Sequence, residues 1–139
     1  MVLPLLLTAN SAAADTGGNL TVRFTGLRSA KGMIRACLTQ EQRFFLTCDK
    51  DPNAIRANVA AGPDARVRFH GVVSGDYALA VMHDENGNGR LDVMMGIPRE
   101  GVGFSRNPAF HFGPPKFSAA RFTIGAGDAA QEVRIKYFL

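Results

Sequence analysis

The run His83 to Asp92, HDENGNGRLD, holds the densest set of potential ligands in the chain. Asp84, Asn86 and Asn88 stand at positions 1, 3 and 5 of a D-x-N-x-N-G-x-x-D pattern, with Gly89 at 6, Arg90 at 7 and Asp92 at 9. Calcium is bound by hard oxygens at this spacing: side chains from alternate positions, a main-chain carbonyl from position 7, and a glycine at 6 where the chain must turn sharply. The expected metal site is therefore Asp84, Asn86, Asn88, the carbonyl of Arg90, and Asp92, with calcium as a structural cofactor. Glu85, between ligand positions, is expected to point outward. The bidentate glutamate of position 12 is missing, since Met95 stands there, and Glu100 or water has to complete the shell. Such a site is weak, with Kd about 0.1 mM, which suits calcium outside the cell and not in the cytosol. The bland use of these residues is a bare strand-to-strand turn, which needs one Asn-Gly and no carboxylates at both ends.

A second chemistry uses overlapping residues. His70, His83 and His111, with Asp84 and Asp92, are the types found in a divalent-metal hydrolase centre, and His83 abuts the acidic loop. Spacing does not support it: there is no H-E-x-x-H, no G-x-S-x-G and no glycine-rich phosphate cradle after a strand. Ser105 has no base assigned to it, although Arg99 and Arg106 would suit an anionic substrate. Transthyretin-like hydrolases of cyclic ureides end in Tyr-Arg-Gly-Ser, whereas this chain runs Lys136, Tyr137, Phe138, Leu139. A hydrogen-bonded strand-end residue is the plainer role for His83. No catalytic residue is assigned, and the hydrolase using His83 stands as the alternative to a non-enzymatic module.

The elements that must position the loop read as strands. Leu20, Val22 and Phe24 alternate with polar residues, as do Ile34, Ala36 and Leu38, then Ile55, Ala57 and Val59, then Ala65, Val67 and Phe69. Phe122 with Ile124, and Val133, Ile135 and Tyr137, continue the period of two. Tyr77 to Met82, YALAVM, is apolar on both faces and predicts a central strand leading straight into the loop. About seven strands separated by turn residues predict an all-β fold, a single sandwich of immunoglobulin or transthyretin type. No helix-period segment competes. The chain has 139 residues, 46% apolar and 20% charged, enough for one core and too little charged for disorder.

Val93 to Lys116 holds four prolines and four glycines and reads as a long loop pinned by Phe104, Phe110, Phe112 and Phe117, either a structural excursion packed by its own aromatics or a ligand-binding surface. An ion in the preceding loop would order it.

Compartment is read from two features. Residues 1–14, MVLPLLLTANSAAA, carry a short apolar run and an A-x-A pattern at Ala12 and Ala14, which predicts a signal peptide cleaved before Asp15 and a mature domain of 15–139. The usual positive n-region is missing, as it would be if the start codon lay further upstream, and no apolar run is long enough for a transmembrane segment. Cys37 and Cys48 are the only cysteines; in a periplasmic or extracellular setting they are expected to form a disulfide contributing about 3 kcal/mol. The strand positions read as solvent-facing carry Arg23, Arg35, Arg56, Arg66, Arg68, Arg121, Arg134 and Lys136. With a net charge of +4, these outward residues read either as a solvated face that blunts edge pairing or as a patch for an anionic envelope component. Aromatics are not interleaved with them, which argues against nucleic acid.

The run HDENGNGRLDVMMGIPREGVGFSRN, with SGDYALAVMHD leading into it, GMIRACL before and GPPKF after, resembles the bacterial family catalogued as domain of unknown function 2141. The resemblance covers roughly Leu20 to Leu139. It implies a small exported β-sandwich protein and carries no activity, substrate or catalytic residue to transfer. More loosely, the asparagine-rich loop resembles calcium loops of bacterial surface-protein modules, an analogy of local chemistry only.

Overall fold

The computed structural model describes residues 17–89, 93–94, 97–109 and 113–139. Residues 1–16, with the expected signal peptide, and Arg90, Asp92, Met95, Phe110, His111 and Phe112 lie outside these described residues. The strands are β1 Gly18–Thr25, β2 Met33–Thr39, β3 Ile55–Ala60, β4 Arg66–Val72, β5 Gly75–Asp84, β6 Val93–Met94, β7 Ile97–Pro98, β8 Gly101–Phe104, β9 Phe122–Ile124 and β10 Gly127–Arg134. A 3-10 segment, Gln42–Lys50, and a single-turn helix, α1 Phe117–Ala120, complete the elements.

Two sheets form an all-β sandwich. The smaller has the order β10-β1-β4, with β1 and β10 parallel and β1 and β4 antiparallel. The larger has the order β3-β2-β5-β8, all antiparallel, and β9 pairs with the start of β5. The alternation legible in the sequence sends Leu20, Val22, Phe24, Val67, Phe69 and Val133 from one sheet against Ile34, Ala36, Leu38, Leu79 and Val81 from the other. These side chains form the main core.

β5 is central, as its two-sided apolar run requires. Leu79 enters the main core while Ala78 faces outward into a second cluster with Phe45, Val102, Phe104 and Ala120. The Phe45 ring lies 5.4 Å from Phe104 and 5.8 Å from Phe117, so the 3-10 segment and α1 cover the outer face of the larger sheet at this end. The disulfide Cys37–Cys48, with its Cα atoms 6.1 Å apart, ties the 3-10 segment to β2. Beside it, the hydroxyl of Thr39 donates to Asp51, both residues being buried.

Two local expectations are corrected. The long loop Val93 to Lys116 is interrupted by the β6-β7 hairpin and by β8, a full member of the larger sheet. GVGF resembles loop because its two glycines occupy the inward face; a Cβ on Gly103 would come within 2.6 Å of Val133 Cγ1, and one on Gly101 would collide with Ile135 and Tyr137. β3 is the half-buried strand that its alternation predicts, and it forms the sheet edge, with Ile55 37% exposed. Two short helical segments stand where none was expected.

The β8 side of the sandwich is closed. Val102 and Lys136 exchange main-chain hydrogen bonds of 2.9 and 2.8 Å across the two sheets. The Asn107 carboxamide donates to Glu132 O and accepts from Arg134 N, both at 2.8 Å, standing in for one more strand residue beside β10.

Candidate functional site

The strand period places His83 and Asp84, consecutive at the end of β5, on opposite faces of the larger sheet. Asp84 emerges on the outer face, yet it is fully buried. Its Oδ2 accepts the Gly89 N–H at 2.8 Å and the Arg35 Nε–H at 2.8 Å; its Oδ1 accepts the Asn88 N–H at 3.2 Å. Gly87 N–H closes on the Asp84 carbonyl, and the Asn86 side chain accepts the Asn88 N–H at 3.2 Å. Winding the chain this tightly needs the left-handed φ of 69° at Gly87 and 73° at Gly89, which glycine adopts without a Cβ penalty.

Burial opposes the charged form of Asp84, but the Arg35 hydrogen bond and the Gly89 amide outweigh it, with the Arg35 charge and the Asn88 amide adding to them. The carboxyl is held below its ordinary value and stays ionised. Asp84, Asn86 and Asn88 thus share one turn, with both asparagines exposed. Glu100 is buried in the turn between β7 and β8. Among the described residues, no three His, Cys, Asp or Glu side chains come together as a preformed metal cluster.

Glu85 does not point outward. It turns back to the β1-β2 loop, where Oε1 accepts Arg28 Nε–H at 2.8 Å and Oε2 accepts the Ser29 hydroxyl at 2.8 Å. The Arg28 hydrogen bond lowers its pKa against the effect of burial, and Ser29 assists. Arg28 also donates to the main-chain oxygen of Leu139 and lies 4.5 Å over the Tyr137 ring. The start of the acidic loop is therefore clamped to the chain's last strand extension.

His83 is sealed on the other face. Nε2 lies 2.7 Å from the carbonyl of Lys31, which only accepts, so Nε2 carries the proton; Nδ1 then accepts the Tyr137 hydroxyl at 2.6 Å. Both ring nitrogens are engaged, as a hydrogen-bonded strand-end residue requires. His70 sits exposed on β4 in the other sheet. Ser105 is buried and structural, accepting from Leu79 N–H at 3.0 Å and donating to the Ala120 carbonyl.

The outward basic residues do not form one class. Arg35 belongs to Asp84, Arg56 donates to the carbonyls of Cys48 and Asp49, and Arg68 pairs with Asp128 at 3.2 Å. Arg28, Arg35 and Tyr137 are the supporting residues that sequence reasoning missed. Arg35 stood among the surface cations and Tyr137 in a strand pattern, and nothing in their spacing ties either to the loop.

No curated protein and no solved structure matches the chain. A family model described as an uncharacterised protein conserved in bacteria, DUF2141, matches residues 22–132, which takes in both sheets, the Asp84 turn and the disulfide. The chain belongs to this DUF2141 family.

Proposed function

We propose that this protein is an exported module of the bacterial cell envelope, binding or accessory in role, in which the loop after β5 takes up calcium as a structural ion. The proposed ligands are Asp84, Asn86 and Asn88, followed by the main-chain carbonyl of Arg90 and the carboxylate of Asp92. The observation that carries the reading is a buried, ionised Asp84 around which the loop's own Asn88 and Gly89 amides close. A simple Asx turn engages an amide two residues on. Here one carboxylate gathers amides four and five residues on, the kind of winding by which a calcium loop brings alternate side chains toward one ion. Export is supported by the disulfide in a bacterial chain, since reducing compartments keep thiols free. The metal-hydrolase reading has no comparable support, because both nitrogens of His83 are already bonded.

Purification from the native compartment, followed by equilibrium dialysis against about 2 mM calcium, tests this. About one calcium per chain is expected, on a protein whose intact mass begins at Asp15 and is two hydrogens below the reduced form. Absence of bound calcium would contradict the loop reading; a retained Met1 with two alkylatable thiols would contradict export.

A further inference from the structure

The outer face of the β10-β1-β4 sheet is arginine-rich. Its residues are Asn19, Thr21, Arg23 and Thr25 on β1, Arg66, Arg68 and His70 on β4, and Asp128, Ala130, Glu132 and Arg134 on β10. Arg23 and Arg66 are direct register partners on neighbouring strands, and both are exposed. Like charges placed directly opposite repel, so the pair costs stability. Among the described residues neither guanidinium makes a hydrogen bond or ion pair. Glu132, in register with Arg23 on the other side, forms no ion pair with it, and Asp128 is engaged by Arg68 and Asn19. The fold thus maintains two unneutralised arginines side by side, with Arg68 and Arg134 nearby.

We infer that this face docks on an anionic, phosphate-bearing bilayer surface, with Arg23 and Arg66 as its paired contact. The occupant follows from charge and from the spacing of the arginines. Guanidinium groups match phosphate oxygens in geometry as well as charge. The four arginines spread in two directions, about 7 Å apart along β4 and about 5 Å between strands, which fits a plane of headgroups better than a single linear polymer. The face carries no Phe, Tyr or Trp, so it has nothing to stack on bases or sugar rings and nothing to insert between lipid chains. Binding is therefore electrostatic and superficial. This inference goes beyond the calcium reading and does not depend on it.

The test is cosedimentation of the full chain with phosphatidylcholine vesicles, with and without about 30% phosphatidylglycerol, over a range of salt. Binding only to the anionic vesicles, weakening as salt rises, is expected. Arg23→Thr/Arg66→Thr should bind roughly thirtyfold more weakly. It should melt no lower than the wild type, because a repulsive pair is gone. Lys50→Thr/Lys116→Thr, with the same change in net charge, should lose at most a few-fold. Glu132→Gln, which removes the negative charge beside Arg23, should bind roughly fivefold more tightly and keeps the inference testable if the double arginine variant misfolds. Equal losses in the two double variants, unchanged binding in Glu132→Gln, or binding to soluble polygalacturonate without binding to anionic vesicles would overturn it.

Discussion

Arg35 and Asp84 meet diagonally across β2 and β5, Nε to Oδ2 at 2.8 Å, and this contact supplies the positive charge that a buried carboxylate needs. A cation in the loop would do the same work from the other side, with Oδ1, which among the described residues accepts only the Asn88 amide, as the oxygen best placed to turn to it.

Replacing Arg35 with Met should therefore destabilise the calcium-free protein by about 2 kcal/mol. That is less than for a fully buried ion pair, because Arg35 is 30% exposed. Calcium should then stabilise the variant more than it stabilises the wild type. Thermal melts of both proteins, in calcium and in chelator, check this; equal increments would mean that Arg35 and the ion do not share Asp84.

Gly103→Ala should cost about 1 to 3 kcal/mol, because the new methyl meets Val133 in a closed core and neither sheet yields easily. Gly125→Ala, where a Cβ meets nothing within 4 Å, should stay within about 0.5 kcal/mol of the wild type. Denaturant midpoints of the two variants distinguish a packed strand from a loop.

Asp51 sits below its ordinary value of 3.8 because it accepts the Thr39 hydroxyl and the Asn53 N–H, assisted by the charges of Arg43 and Arg56 and opposed by burial. A carboxyl depressed in the folded state contributes stability that is present above its unfolded pKa and lost as the pH falls through its folded pKa. Thr39→Val should thus be less stable than the wild type at neutral pH, with the gap narrowing as the pH falls below 3.8. Urea melts at pH 7 and pH 3 measure it, and a gap that does not change would contradict the assignment.

The strands that bury one face were legible because the period of two survives folding: Leu20, Val22 and Phe24 in β1 and Ile34, Ala36 and Leu38 in β2 all enter the core. β5 was recognisable for the opposite reason, having apolar residues on both sides. β8 was not, because its inward positions are Gly101 and Gly103, and a glycine face has no hydrophobic signal however tightly it packs. The 3-10 segment escaped because a disulfide and Phe45 hold it in place, not helical periodicity.

The loop itself was visible in its spacing, but its support was not. Arg35 lies 49 residues from Asp84, Arg28 lies 57 from Glu85, and Tyr137 lies 54 from His83, so each contact exists only after the sheets assemble. The spacing alone sends Glu85 outward for the same reason. Local spacing shows which residues can gather in one turn and cannot show which distant cation or hydroxyl meets them.

If calcium occupies the loop that begins at Asp84, thermal unfolding in calcium against chelator must show it. With Kd about 0.1 mM, about 2 mM calcium should stabilise the fold by about 1.8 kcal/mol and raise the melting temperature by about 5 to 10 °C. Asp92→Ala should abolish that increment, while Glu85→Ala should lower both melts by breaking the Arg28 clamp and leave the increment intact. Superimposable wild-type melts in calcium and in chelator would contradict the claim and reduce Asp84 to the anchor of an ion-free turn.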